Sequence, residues 1–309
     1  YSINGFYMSS NPSTTTDRTF VPISAQSQWT KSYKGSMHFL RTKPLGAIGI
    51  FLIIFFTIVA VFAPTLSPTD PKETNVYNIM ASSSIEHPFG TDMLGRDMLS
   101  RTIWGSRVSI FIGLVSMLGA SAAGAVLGVA SAYFAGKFDL IVQRFIDALT
   151  AFPSLLLAMA LVAAFGSSFF NIIAALVIVF TPRITRVVRS VALSIKAMPY
   201  VESARSSGAN DNRIMFRHIL PNTFASLIIA SSGLIGSAIV IEASLSFLGV
   251  GTTNTISWGG LLSREVMAFF TAAPWIVIYP GGALTLLVFG VNILGDALRD
   301  VLDPRLRGK

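Results

Sequence analysis

Cysteine is absent from the 309-residue chain, so disulfides, thiolate metal sites and cysteine nucleophiles are excluded. Charge is scarce as well. Asp, Glu, Lys and Arg make up 12% of the residues, against roughly 25% in an ordinary soluble chain. With 52% of residues hydrophobic and a mean hydropathy of +0.64, too few polar side chains remain to cover a surface in water. The apolar excess must face lipid, and the length does not signal two soluble domains. Histidine occurs only at positions 38, 87 and 218, too far apart for a His-based metal site. No Gly-x-x-x-x-Gly-Lys-Ser/Thr loop, no Gly-x-Ser-x-Gly elbow and no His-Glu-x-x-His pair occurs. The chain therefore offers no nucleotide-hydrolysing site, no catalytic residue and no cofactor site of its own.

What is present is a series of apolar runs. A spanning helix needs about 20 mostly apolar residues, and runs at 45–64, 108–135, 140–165, 169–188, 223–248 and 274–295 meet that length. The expected fold is an all-α membrane protein of six transmembrane helices. Residues 1–36 are rich in Ser, Thr and Asn without an apolar stretch, so 1–44 reads as a polar tail and entry segment. The remaining 45–309 reads as the transmembrane domain. Lys31, Lys34, Arg41 and Lys43 precede the first run, whereas Asp70, Glu73 and Glu86 follow it. Lys and Arg accumulate on the cytoplasmic side. That places the N-terminus inside, 65–105 outside, and the C-terminal tail 296–309 inside. The net charge of +8 then reflects membrane topology, with lipid rather than nucleic acid as the neighbour.

Two patterns go beyond hydropathy. Ser116, Ala120, Gly124, Gly128, Ala132 and Gly136 recur at every fourth residue. They form a small-residue helix face that lets another backbone approach closely, either as a static packing face or as a sliding one. The polar stretch 189–221, rich in Arg189, Lys196, Arg205, Arg213 and Arg217, writes two short helices. Pro199 opens the first, with Tyr200, Val201 and Ala204 sharing a face, and Gly208 stops it. Asn210 or Asp211 caps the second, whose apolar face is Ile214, Met215 and Ile219, and Pro221 breaks it before the fifth span. Such a pair suits a groove on a partner, a membrane interface, or an inner loop of purely structural role. Within the spans, Pro153 and Pro182 are kink positions. Glu242 is a carboxylate in an apolar run, suited to bonding between helices or to a place on a translocation pathway. In the outer segment, Gly90, Asp92, Gly95 and Asp97 read as turn chemistry. A metal set of His87, Asp92 and Asp97 has no ligand spacing to recommend it.

Glu202, Ser203, Ala204, Gly208, His218, Leu220 and Pro221 resemble the EAA loop of ABC-importer permeases, with Ser203 in place of the middle Ala and His218 where an aliphatic residue is common. The run from His87 to Asp97, the run Ala151 to Leu155, the run Leu245 to Gly249, Ser257 to Gly259, and Gly295 to Asp300 with Asp303 to Arg305 together resemble the dipeptide, oligopeptide and nickel permease group. The pattern is that of its second, C-type subunit, and covers the chain beyond about residue 38. The resemblance implies a type I ABC importer fold in the bacterial inner membrane and alternating access. It implies that 199–221 couples to ATPases that use ATP and Mg. It further implies a heterodimer with a homologous first permease, two cytoplasmic ATPase subunits, an extracytoplasmic substrate-binding protein, and a dipeptide or oligopeptide as cargo. Nickel or glutathione is the alternative cargo. An ion-gradient-driven secondary transporter would instead need inverted repeats and charged residues deep in the spans, and a sensor or scaffold would need no transport.

Because the chain has no native cysteine, its topology is open to single-cysteine labelling. Met80→Cys is expected to react with a membrane-impermeant maleimide added to intact cells, and Asn210→Cys is not. The reverse pattern would overturn the orientation.

Overall fold

The computed structural model describes residues 44–252 and 255–302. The tail 1–43, the run Asp303 to Arg305 and the C-terminal residues lie outside the described residues. Helices α1 (Pro44–Val61), α2 (Met98–Phe134), α5 (Phe169–Lys196), α7 (Asp211–Phe247) and α9 (Trp275–Leu302) are each long and apolar enough to cross a bilayer. Two shorter helices, α3 (Gly136–Thr150) and α4 (Ser154–Phe165), lie between α2 and α5. A surface helix α6 (Pro199–Ser206) precedes α7, and a four-residue helix α8 (Trp258–Leu261) precedes α9.

Contacts between helices fix their directions. A Cβ on Gly119 would meet Val177, one on Gly124 would meet Ile184, and one on Gly128 would meet Thr185 and Val188. The two registers rise together, so α2 and α5 run parallel. Phe111 lies beside Phe169, with ring centroids 5.6 Å apart. At the other end the Lys196 ammonium bonds the Tyr133 carbonyl at 2.6 Å. A parallel pair obliges the intervening chain to return the full distance, about 34 Å at 1.5 Å per residue. Helices α3 and α4 make that return. They meet at 94°, and the expectation of one continuous third span over 140–165 is corrected accordingly. Pro153 is the reason. It adopts an extended conformation (ψ 136°) and stands immediately before α4, because its ring and missing N–H cannot continue the preceding helix.

The remaining contacts alternate in direction. Gly113 faces Ile239 and Ser121 bonds Ser231 at 2.6 Å, so α7 is antiparallel to α2. Gly236 faces Asn292, so α9 is antiparallel to α7. Gly49 faces Gly290 and Leu294 while Gly290 faces Leu52, so α1 is antiparallel to α9. Among the described residues five single helices are fit to cross a bilayer, and the bent α3–α4 pair, counted as one span, makes a sixth. Both described termini lie at the same end of the bundle as α6. That end also carries Arg186, Arg189, Lys196, Arg205, Arg213 and Arg217.

Three further sequence expectations change. Helix α2 begins ten residues before the apolar run, at Met98, because Asp97 accepts from the Ser100 amide at 2.7 Å and caps it. Helix α5 continues to Lys196, so Arg189 belongs to a helix and not to the loop. The second short helix of 199–221 is the opening of α7 itself. Pro221 does not break it, because a π-helical turn over Ile214–Ile219 absorbs the imposed misfit. The Leu220 amide bonds the Met215 carbonyl, five residues back. Wider turns of this kind accommodate a helix that loses an ordinary i−4 bond.

Ser116, Ala120, Gly124, Gly128 and Ala132 are buried in α2, whereas Gly136 has left that helix and opens α3 with φ +52°. A Cβ at Gly128 would sit 2.8 Å from the Thr185 carbonyl oxygen, a backbone atom that cannot step aside. Gly124→Leu and Gly128→Leu are therefore expected to destabilise the bundle by about 1–3 kcal/mol or more, the range of overpacking. Leu127→Ala, at a position 37% exposed, is expected to cost far less. The check is the membrane level and detergent melting temperature of each variant. Equal effects would overturn the packing account.

Candidate functional site

The polar loop between α5 and α7 is built around α6. Pro199 begins it, and Val201 is its one buried residue. Glu202, Ser203 and Arg205 are exposed and Ala204 is half-buried. Gly208 adopts φ +79°, with its amide on the Arg205 carbonyl and the Ala209 amide on the Ala204 carbonyl at 3.1 Å. This is the left-handed stop that glycine takes without steric cost. Asn210 then caps α7 by accepting from the Arg213 amide at 2.9 Å. His218 and Leu220 are half-buried and Pro221 is exposed.

The apolar face assigned from sequence is partly corrected. Ile214, Met215 and Ile219 are buried in the main core, so they hold α7 to its own bundle and are not free for a groove. The apolar side chains left outward are Met198, Tyr200 and Phe216, which are 46%, 44% and 49% exposed.

The loop is fastened to the end of α2 by contacts that no local pattern announced. The Tyr133 hydroxyl donates to Asp211 Oδ1 at 2.5 Å. The Lys196 ammonium donates to the Ala132 carbonyl at 3.1 Å and the Tyr133 carbonyl at 2.6 Å. The Lys196 ammonium and the Arg205 guanidinium lie 5.7 and 5.8 Å from the Tyr133 ring centroid. Beside them Arg189 grips Asp139 of α3 through Nε–Oδ1 at 2.6 Å and Nη2–Oδ2 at 2.5 Å. Sequence reasoning counted Lys196 and Arg189 as topological charge and passed over Tyr133. The signal available was an aromatic residue closing a helix otherwise lined with small residues.

Glu242 stands one turn from the other end of α7 and is fully buried. The Ser246 hydroxyl donates to Oε1 at 3.0 Å and the Ser109 hydroxyl to Oε2 at 3.4 Å. Ser109 Oγ also accepts from the Trp258 amide at 3.2 Å, and the Trp258 indole donates to the Thr102 carbonyl at 2.8 Å. The carboxyl group thus joins α2, α7 and α8. An open groove of about 750 Å³ at that end is lined by Pro64, Asp70, Lys72, Trp104, Arg107 and Ile256 among others, without Glu242.

The segment 65–105 closes the same end. Gly90 (φ +69°) and Gly95 (φ +71°) form its turns. Asp92 accepts from Leu94 and Arg96 amides and pairs with Arg96 Nε at 2.7 Å. His87 Nδ1 lies 3.0 Å from Asp97 Oδ1. His87 and Asp97 thus pair with each other while Asp92 pairs with Arg96, and the three are not gathered on one point. Among the described residues no group of three such side chains converges.

Residues 124–308 match the family described as "Binding-protein-dependent transport system inner membrane component". The chain belongs to that family. Residues 33–83 match the N-terminal TM domain of oligopeptide transport permease C. The chain is 38% identical to the dipeptide transport system permease protein DppC of Alkalihalophilus pseudofirmus over 92% of each chain. It is 41% identical to a putative peptide transport system permease protein of Brucella suis over 84% of this chain and 88% of that one. It is 40% identical to the glutathione transport system permease protein GsiD of Pectobacterium atrosepticum over 92% of this chain and 93% of that one. A crystal structure of an amino acid ABC transporter with histidines aligns at a TM-score of 0.44 and 17% identity over 68% of this chain and 94% of that one, a distant likeness. The protein is thus a multi-pass ABC permease subunit of the C type, a transport component without its own ATPase site.

Replacing Glu242 tests what its carboxyl does. Gln retains a carbonyl oxygen for a serine hydroxyl, so Glu242→Gln is expected to keep assembly and most transport. Glu242→Leu strands the Ser109 and Ser246 hydroxyls and is expected to cost about 1–3 kcal/mol, seen as a lower melting temperature. Loss of transport in a fully assembled Glu242→Gln complex would instead assign the charge a direct role.

Proposed function

We propose that this subunit imports dipeptides or oligopeptides by alternating access. It pairs with a homologous first permease and is driven by two cytoplasmic ATPase subunits that use ATP and Mg. An extracytoplasmic binding protein delivers the cargo. Both chain ends and the loop 199–221 face the cytoplasm, with 65–105 outside. The support is the gathering of Lys and Arg at the end that carries α6.

The observation that carries the coupling role is the placement of α6. It lies at the end of the bundle, seated by Val201 in the main core and followed by a left-handed glycine, with Met198, Tyr200 and Phe216 exposed around it. A short helix with apolar residues outward suits a groove on a partner. Glu202, Ser203 and Ala204 provide its small polar face, Gly208 sets its angle to α7, and His218, Leu220 and Pro221 form the root. ATP binding in the partners moves this helix, and the bundle passes between two discrete packings. Peptide cargo is favoured by the dipeptide and peptide permeases among the relatives. The glutathione permeases keep a modified tripeptide in view as a second cargo.

Space is open around Gly208, so a side chain there acts through the backbone conformation alone. Gly208→Val forces a β-branched residue into the left-handed region at a cost of about 1–2 kcal/mol. It is expected to spare membrane insertion and to lose either ATPase co-purification or substrate-stimulated hydrolysis. Glu202→Lys is expected to do the same more mildly. The check is purification of the complex, followed by ATPase assays and uptake of a labelled dipeptide challenged with longer peptides, glutathione or nickel. Normal coupling in Gly208→Val would overturn the role of the loop. Competition by glutathione or nickel alone would overturn the peptide cargo.

A further inference from the structure

We propose that Tyr133 is the positioning residue that joins the loop around α6 to α2, so that the two move as one body. The inference rests on the reading of that loop as the coupling element. Three residues from successive helices, the last of α5, one of α6 and the first of α7, converge on this one side chain and its carbonyl. Lys196 lies three residues before α6, Arg205 is inside it, and Asp211 lies just beyond Gly208. The Lys196 ammonium bonds the Tyr133 carbonyl at 2.6 Å and lies 5.7 Å from the ring centroid. The Arg205 guanidinium lies 5.8 Å from the same centroid, and Asp211 Oδ1 accepts from the hydroxyl at 2.5 Å.

Each contact has a physical ground. The last carbonyls of a helix lack intrahelical partners and carry partial negative charge, so a cation is favoured at the end of α2. A cation near an aromatic ring is attracted by its quadrupole. A hydroxyl bonded to a carboxylate is stronger than a neutral pair. Tyr133 itself is 8% exposed, so its ring has little freedom to follow the loop independently. The glycines at 124 and 128 then seat α2 against α5, and a force on α6 reaches two spans through one residue. Gly208 sets the angle between α6 and α7, and Tyr133 holds a residue on each side of it, Arg205 and Asp211, to the end of α2.

The test uses the assembled complex in proteoliposomes. Tyr133→Phe keeps the ring for Lys196 and Arg205 but loses the hydroxyl, and Tyr133→Ala loses both. Labelled dipeptide taken up per ATP hydrolysed is expected to fall by roughly tenfold or more in Tyr133→Phe, the scale of one hydrogen bond to a charged group, and further in Tyr133→Ala. Asp211→Ala should match Tyr133→Phe, and the double variant should be no worse than either single one.

A second readout needs no substrate. Spin labels on Val126→Cys, an exposed position of α2, and Ser206→Cys at the end of α6 are expected to give one narrow distance, unchanged between the nucleotide-free and the ATP–vanadate-trapped complex. In Tyr133→Phe that distance is expected to broaden. Additive effects of Tyr133→Phe and Asp211→Ala, or a label distance that changes on trapping in the unaltered complex, would overturn the anchor. Absence of ATPase association or ATP-driven uptake in the unaltered protein would instead overturn the proposed function.

Discussion

The close approach of α2 to α5 sets much of the architecture. A Cβ at Gly124 or Gly128 would fall within 3 Å of atoms of α5, the Thr185 carbonyl oxygen among them. The two helices can touch at this distance only because one of them presents no side chain. Lipid supplies no hydrophobic drive for helices to associate, so contact area between backbones does that work. Running parallel, the pair leaves the chain one option, a return crossing between Phe134 and Phe169. Helices α3 and α4 provide it despite the bend at Pro153. The same constraint brings the end of α5, and with it α6, alongside the end of α2.

Polar groups occupy the two ends of this assembly in different ways. Around Glu242, the Ser109 and Ser246 hydroxyls meet a buried carboxyl, the Trp258 amide bonds Ser109 in turn, and the result joins α2, α7 and α8. Around Tyr133, cations, a ring and carboxylates join the loop to the bundle. The first arrangement is closed within the chain. The second leaves α6 outward, with exposed polar and aromatic side chains. A helix fixed at its root and free on its face suits the transmission of a partner's motion.

Several features of the fold were legible in the sequence because they arise from local rules. Gly208, Gly90 and Gly95 stand at left-handed turns, and Asn210 caps a helix, as residue type alone implies. Others needed knowledge of neighbours. Ile214, Met215 and Ile219 form an apolar face in any helical projection, but only the packed bundle shows that α7 spends that face on its own core. Pro221 carries a breaking signal, yet a π-helical turn absorbs it. Pro153 carries the same signal and does break the chain.

The sequence by itself determined that this chain lives in lipid, and where its turn glycines and the Asn210 cap fall. These follow from composition, run length and backbone sterics, which act over a few residues. Only the tertiary structure decided that α2 and α5 run parallel, that Glu242 is met by a serine 133 residues away, and that Tyr133 gathers Lys196 and Asp211, which lie 63 and 78 residues beyond it. The physical reason is range. A hydrogen bond or ring contact across such separations leaves no period in the sequence, and its partners meet only when the helices that carry them have packed.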